Sequence, residues 1–197
     1  MFLLSPANCA GKRADLLYND AAQFPLARRL RKGGAGLAEV FSFISGLYFR
    51  RKLTYAERFA TPPPDVCGVQ VITTNHGLLP ADTPVGIAEL RAFGEVDIRS
   101  DDPRYRLPLE RDAAGLARHP ELDVVLLGSI ATGKYVDVLG PALSGRLLFP
   151  VEFVGRGDMS RGALLLRAAR AGTELAYGPV EGTLKRGTRP SRLGVAE

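Results

Sequence analysis

Asp123-Val-Val-Leu-Leu-Gly-Ser-Ile-Ala-Thr-Gly-Lys-Tyr135 is the stretch that decides the fold. It reads as a fully apolar strand, a Gly-x-x-x-x-Gly-Lys loop and the start of a helix. That is the order of a phosphate-cradling loop, in which backbone N–H groups wrap an anion and a Lys reaches over it. The Ser or Thr that would hold Mg²⁺ after Lys134 is Tyr135, which argues against an ordinary ATPase. The strand's β-branched, uninterrupted apolar character suits a position covered on both faces, as in a parallel sheet.

Working outward, similar short apolar runs recur at Phe2-Leu3-Leu4, Gly68–Thr73, Glu95–Ile98 and Arg146–Phe149. Helical spacing fills the gaps over Pro25–Arg31, Leu37–Ser45, Leu53–Ala60, Thr83–Phe93, Pro108–Arg118, Lys134–Leu143 and Ser160–Ala171. This alternation predicts an α/β fold: one three-layer domain over 1–181, with a mostly parallel sheet of four or five strands and helices on both faces. A basic tail from 182 to 197, rich in Gly, Pro and Thr, is expected to run over the surface.

Composition bounds the function. The 197 residues are 46% hydrophobic and 24% charged, globular values that exclude wholesale disorder. Of 26 basic residues only five are Lys, so 21 are Arg, against 21 acidic residues and a net charge of +5. Arg forks suit phosphate, and a GC-rich genome gives the same bias. Cys9 and Cys67 have neither disulfide-framework nor zinc spacing, which points to a reducing cytoplasm with no metal and no cofactor. The first residues have the outline of a lipoprotein signal but lack a basic start and a long apolar run. Nothing approaches the roughly 20 apolar residues of a membrane span.

In an open α/β sheet ligands bind beyond the carboxyl ends of the strands, and that rule selects four loops. The first offers Ser5, Asn8 and Arg13. The second offers His76 as a general acid or base, or as a loop histidine bonded to backbone. The third offers Ser129, Thr132 and Lys134, as anion ligands or as helix caps. The fourth, Gly155-Arg-Gly-Asp-Met-Ser-Arg-Gly162, offers Arg156, Ser160 and Arg161 as a phosphate clamp; alternatively Asp158 or Ser160 caps the following helix. A fifth segment, Gly46–Tyr55, interleaves Tyr48 and Phe49 with Arg50, Arg51 and Lys52. Such a pattern fits stacked bases and a phosphate backbone, or an amphipathic helix with its aromatics in the core and its cations solvated.

The order of these pieces resembles a little-characterised prokaryotic family related to the uracil-DNA-glycosylase-like domains that accompany archaeosine and deazaguanine enzymes. The similarity covers roughly residues 2 to 165. It lies in Leu4-Ser5-Pro6-Ala7, in Tyr-Phe-x-x-Lys-Leu over Tyr48–Leu53, in Gly77-Leu78-Leu79-Pro80 and in Lys134-Tyr135-Val136. The resemblance implies a nucleobase-, nucleotide- or DNA-handling protein that hydrolyses an N-glycosidic bond. Asn8 falls where such glycosylases place the Asn or Asp that positions water. Gly157-Asp158-Met159-Ser160 falls near their late His-Pro-Ser-like loop but contains no His. The candidate catalytic set is Asn8 and Asp158, placed by this resemblance, with His76 from its own strand-end loop. The alternative is a non-catalytic nucleic-acid-binding module working through Tyr48, Arg50, Arg51 and Lys52.

Overall fold

Three residues, Phe2–Leu4, form the centre of the sheet (β1) in the computed structural model, which describes residues 1–183. All three are almost wholly buried, and β1 pairs in parallel with β3 (Val69–Ile72) on one side and β6 (Val124–Leu127) on the other. The Met1 amino group extends the ladder by donating to Asp123 O at 2.8 Å. Beyond β6 lies β7 (Leu147–Pro150), again parallel. Both margins are antiparallel: β4 (Leu78–Pro80) closes β3 and β8 (Tyr177–Pro179) closes β7. The order is β4-β3-β1-β6-β7-β8, a six-stranded, mostly parallel sheet. A separate two-stranded ribbon joins β2 (Ala35–Gly36) to β5 (Pro84–Val85).

The helices are α1 (Lys12–Tyr18), α2 (Pro25–Lys32), α3 (Leu37–Ser45), α4 (Leu47–Phe59), α5 (Ile87–Gly94), α6 (Pro103–Ala117), α7 (Gly133–Leu143) and α8 (Asp158–Ala171). In α2 the apolar Leu26, Ala27 and Leu30 turn inward while its arginines stay outside, the division an amphipathic helix requires. α4 packs on α8, α3, β1 and β3, and α6 packs on α7 and β4. Phe41 of α3 meets Phe49 of α4 edge to face, and Tyr55 of α4 does the same with Phe2.

Several expectations change. The sheet has six strands, not four or five, because the short, turn-like segments β4 and β8 add an antiparallel margin on each side. Thr83–Phe93 opens with β5, and α5 starts only at Ile87. Glu95–Ile98 is not a strand: it leaves the end of α5 in a turn, bends across the strand ends and pairs with no strand of the sheet. α6 begins at Pro103, where Asp102 caps Arg104 N at 2.9 Å, so Pro108 lies inside the helix. The carbonyl that Pro108 leaves without an i+4 donor belongs to exposed Arg104. α4 starts at Leu47, not Leu53, which draws the whole Tyr48–Lys52 segment into a packed helix. The C-terminal tail lies outside the described residues from 184 on.

Candidate functional site

Because β1 and β6 are parallel neighbours, their carboxyl ends deliver Ser5 and Gly128 side by side. Ser5 N and Ser5 Oγ both donate to Leu127 O, at 3.4 and 3.3 Å. A Cβ on Gly128 would meet Ser5 Cβ at 3.2 Å and the Tyr135 ring at 3.5 Å, so only glycine admits this close approach. The first and third loops therefore touch directly.

They share a cleft of about 470 Å³ with two further segments. Pro6–Ala10 forms one wall, Lys134 and Tyr135 another, Thr74 and Phe93 a third, and the bend Val96–Arg99 closes it. Asn8 is exposed, and its Oδ1 accepts from Ala10 N at 3.0 Å, which fixes the turn. The Lys134 ammonium lies 5.0 Å from the Tyr135 ring centroid, and among the described residues it makes no ion pair. Its backbone carbonyl accepts from Tyr105 Oη at 2.7 Å, which anchors the first turn of α7 on α6. Burial raises the Tyr135 phenol well above its ordinary range, so it stays neutral beside Ser5. Burial likewise pushes the Cys9 thiol up to about 12, which removes it as a nucleophile near neutral pH.

Several sequence-derived candidates stand elsewhere. His76 is exposed and outside the cleft lining; its ring rests edge-on against Phe93, 5.5 Å away, and Nδ1 meets Asn75 Oδ1 at 2.6 Å. Arg13 lies on another face, donating to Phe43 O at 3.5 Å. Ser129 Oγ accepts from Ala131 N at 3.3 Å, and Thr132 caps α7 by position without a side-chain bond. The phosphate cradle itself is taken. A Cβ on Gly133 would fall 1.7 Å from Asp137 Oδ2, so the Asp137 carboxylate folds against the first turn of α7. A negatively charged group there opposes a nucleotide phosphate.

The fourth loop is built inward. Arg156 Nε donates to Glu152 O at 3.0 Å and its Nη1 to Ser160 Oγ at 3.2 Å. Arg161, 9% exposed, donates from Nε to Phe153 O at 3.2 Å and lies over the Phe153 ring. These guanidiniums tie a loop to the helix that follows it. Asp158 opens α8, its side chain 68% exposed and 3.8 Å from Arg161 Nη1, and Gly157 takes the N-cap position in place of Asp158 or Ser160.

The fifth segment follows the amphipathic-helix reading in burying Phe49 and Tyr55, and departs from it at one of its cations. Arg50 is exposed and Arg51 packs near Gly162. Lys52, however, is 1% exposed, and Tyr48 Oη is buried without a hydrogen-bond partner beside the Arg161 guanidinium. Tyr48 and Lys52 thus face the interior, and no row of stacking aromatics and cations is presented.

Comparison with protein-family models, with curated proteins and with solved structures finds no match to this chain. The site stands on its own geometry. Reading the sequence missed Thr74, Phe93, Asp97 and Arg99 of the cleft. Asp97 sat in a supposed strand and Arg99 just beyond it, and nothing local marked them. Lys52 did carry a signal: Phe49, Lys52 and Ala56 recur at helical spacing on one face. Among the described residues there is no cluster of three or more His, Cys, Asp or Glu side chains fit to hold a metal, and no helix long and apolar enough to cross a membrane.

Proposed function

We propose that the cleft receives a nucleobase, a nucleotide or a DNA end, and that the protein acts as a hydrolase of an N-glycosidic bond, as the glycosylase-like resemblance implies. The observation that carries this reading is the meeting of Asn8, Lys134 and Tyr135 with Thr74 and Phe93 in one cleft beyond the ends of β1, β3 and β6. Pro6 and Ile98, both half-buried in the lining, offer apolar surface for a planar base. Lys134 balances a phosphate. The Asn8 carboxamide orients water or reads a base edge. Asp97 is the one carboxylate among the lining residues, and it takes the general-base role that the sequence suggested for His76, which stands outside the lining. The reading goes with helices on both faces of the sheet, α3, α4 and α8 opposite α6 and α7, and with a cytoplasmic setting in which both cysteines stay thiols.

The test is equilibrium binding of dUMP and of a uracil-containing single strand, with base release assayed by chromatography. Lys134→Ala and Asn8→Ala should weaken binding while leaving the melting temperature nearly unchanged. The reading falls if the wild type binds neither probe at low salt.

A second reading has its own observation. A groove of about 620 Å³ on another face is lined by Arg13, Arg29 and Arg50 around Phe24 and Phe43, whose rings stack at 5.3 Å. Cations beside stacked aromatics suit a single strand without any catalysis. Under this reading Arg13→Ala with Arg50→Ala abolishes single-strand binding, and Lys134→Ala leaves it intact.

A further inference from the structure

Lys52 is a buried lysine without a close carboxylate. Its Nζ donates to Ser5 O at 2.6 Å and to Ser5 Oγ at 2.8 Å, and lies 4.9 Å from the centroids of both the Tyr48 and Phe49 rings. Among the described residues no carboxylate lies within 4 Å of it. An ammonium sealed in this way is costly, and a Met of similar length would fill the space without that cost. What the charge gains is Ser5, the last residue before the Pro6–Ala10 wall of the cleft.

We infer that Lys52 is the positioning residue of the cleft: through Ser5 it fixes the loop that carries Asn8, and its charge adds to that of Lys134 in holding an anionic ligand. The second half rests on the nucleotide reading; the first does not. The groups that face Lys52 are Asp158 and Arg161 from α8, Lys134 and Tyr135 from α7, and Tyr48 from its own helix. Burial lowers the Lys52 pKa to about 7; the Asp158 carboxylate opposes this and the Lys134 ammonium adds to it. The charge is therefore present below about pH 7 and lost above it, within reach of physiological change.

The experiment follows the amide signals of Asn8 and Ala10 in the ligand-free protein between about pH 5.5 and pH 9, in a His76→Gln background that removes the imidazole resting on Phe93. The expected result is a titration near pH 7 that Lys52→Met abolishes. Asp158→Asn should move its midpoint down and Lys134→Ala should move it up, because the first removes an attraction and the second a repulsion. These opposite shifts keep the test decisive if Lys52→Met fails to fold. A second arm measures dUMP affinity. The ratio of wild type to Lys52→Met, in which the probe's own titration cancels, should fall from on the order of tenfold below pH 6 to near unity above pH 8. Absence of the loop titration, or its persistence in Lys52→Met, overturns the inference. If the wild type fails to bind dUMP, the nucleotide reading and the ligand half fall together, while the loop titration still decides the positioning half.

Discussion

Two loops that look alike in sequence have opposite economies in the fold. Gly128–Lys134 and Gly155–Gly162 are both glycine-rich, both carry cations and both open a helix. In the first, the Lys134 ammonium rests on a ring face and lines a cleft with Asn8. In the second, Arg156 and Arg161 spend their donors on Glu152 O, Ser160 Oγ and Phe153 O. The cations of the fourth loop therefore close that loop from within, whereas the Lys134 side chain lines an open cleft.

The largest test of this contrast uses the cation that belongs to neither loop. Lys52 has a pKa of about 7 when folded and 10.5 when unfolded, so between those values the unfolded chain binds the extra proton and stability rises with pH. Relative to Lys52→Met, the wild type should gain roughly 2 kcal/mol between pH 7 and pH 9, the slope reaching about 1.4 kcal/mol per pH unit only above the folded pKa. Parallel denaturation curves at the two pH values check it; equal differences at both would show that the ammonium is not buried in solution.

Arg161→Ala should cost about 2 kcal/mol of stability, through the orphaned Phe153 carbonyl and the lost ring contact. Its effect on nucleotide binding should be no more than that on folding. A variant with unchanged melting temperature and abolished binding would reverse the contrast between the loops. Lys134→Ala, by comparison, should weaken dUMP binding about tenfold, near 1.4 kcal/mol, with little change in thermal stability, and calorimetry separates the two. Smallest is Asn8→Ala, where loss of the Ala10 N acceptor should destabilise by about 0.5–1 kcal/mol and weaken binding only a few-fold. Asn8→Asp keeps the acceptor and should restore stability while repelling the phosphate.

The legible part of the fold is the part governed by continuous apolar runs. β1 and β6 are buried on both faces, β3 and β7 mostly so, and Gln70 alone interrupts their apolar pattern. The margins were not legible: β4 ends in Pro80, and β8 reads Tyr177-Gly-Pro179, residues that favour turns. Glu95–Ile98 alternates like a strand but pairs with none, since alternation alone does not carry a segment alongside a sheet edge. In the site, Asn8 and Lys134 were visible because strand-end loops are where ligands bind. His76, Arg13 and Arg161 were selected by the same rule and are carried elsewhere by turn geometry and by packing.

By itself the sequence determined which segments must be buried, and hence a parallel α/β sheet whose strand ends gather polar loops. Hydrophobicity along a chain is local, so it can be read without coordinates. Only the tertiary structure decided which cations are free and which are consumed. Lys134, Arg161 and Lys52 are all basic residues beside glycine or aromatic neighbours. Their roles diverge because one lines a cleft, one closes a loop and one lies sealed against Ser5. For Lys52 the partner lies 47 residues away in the chain, while Arg161 finds Phe153 within its own loop, and the sequence does not show which of the two a cation will do.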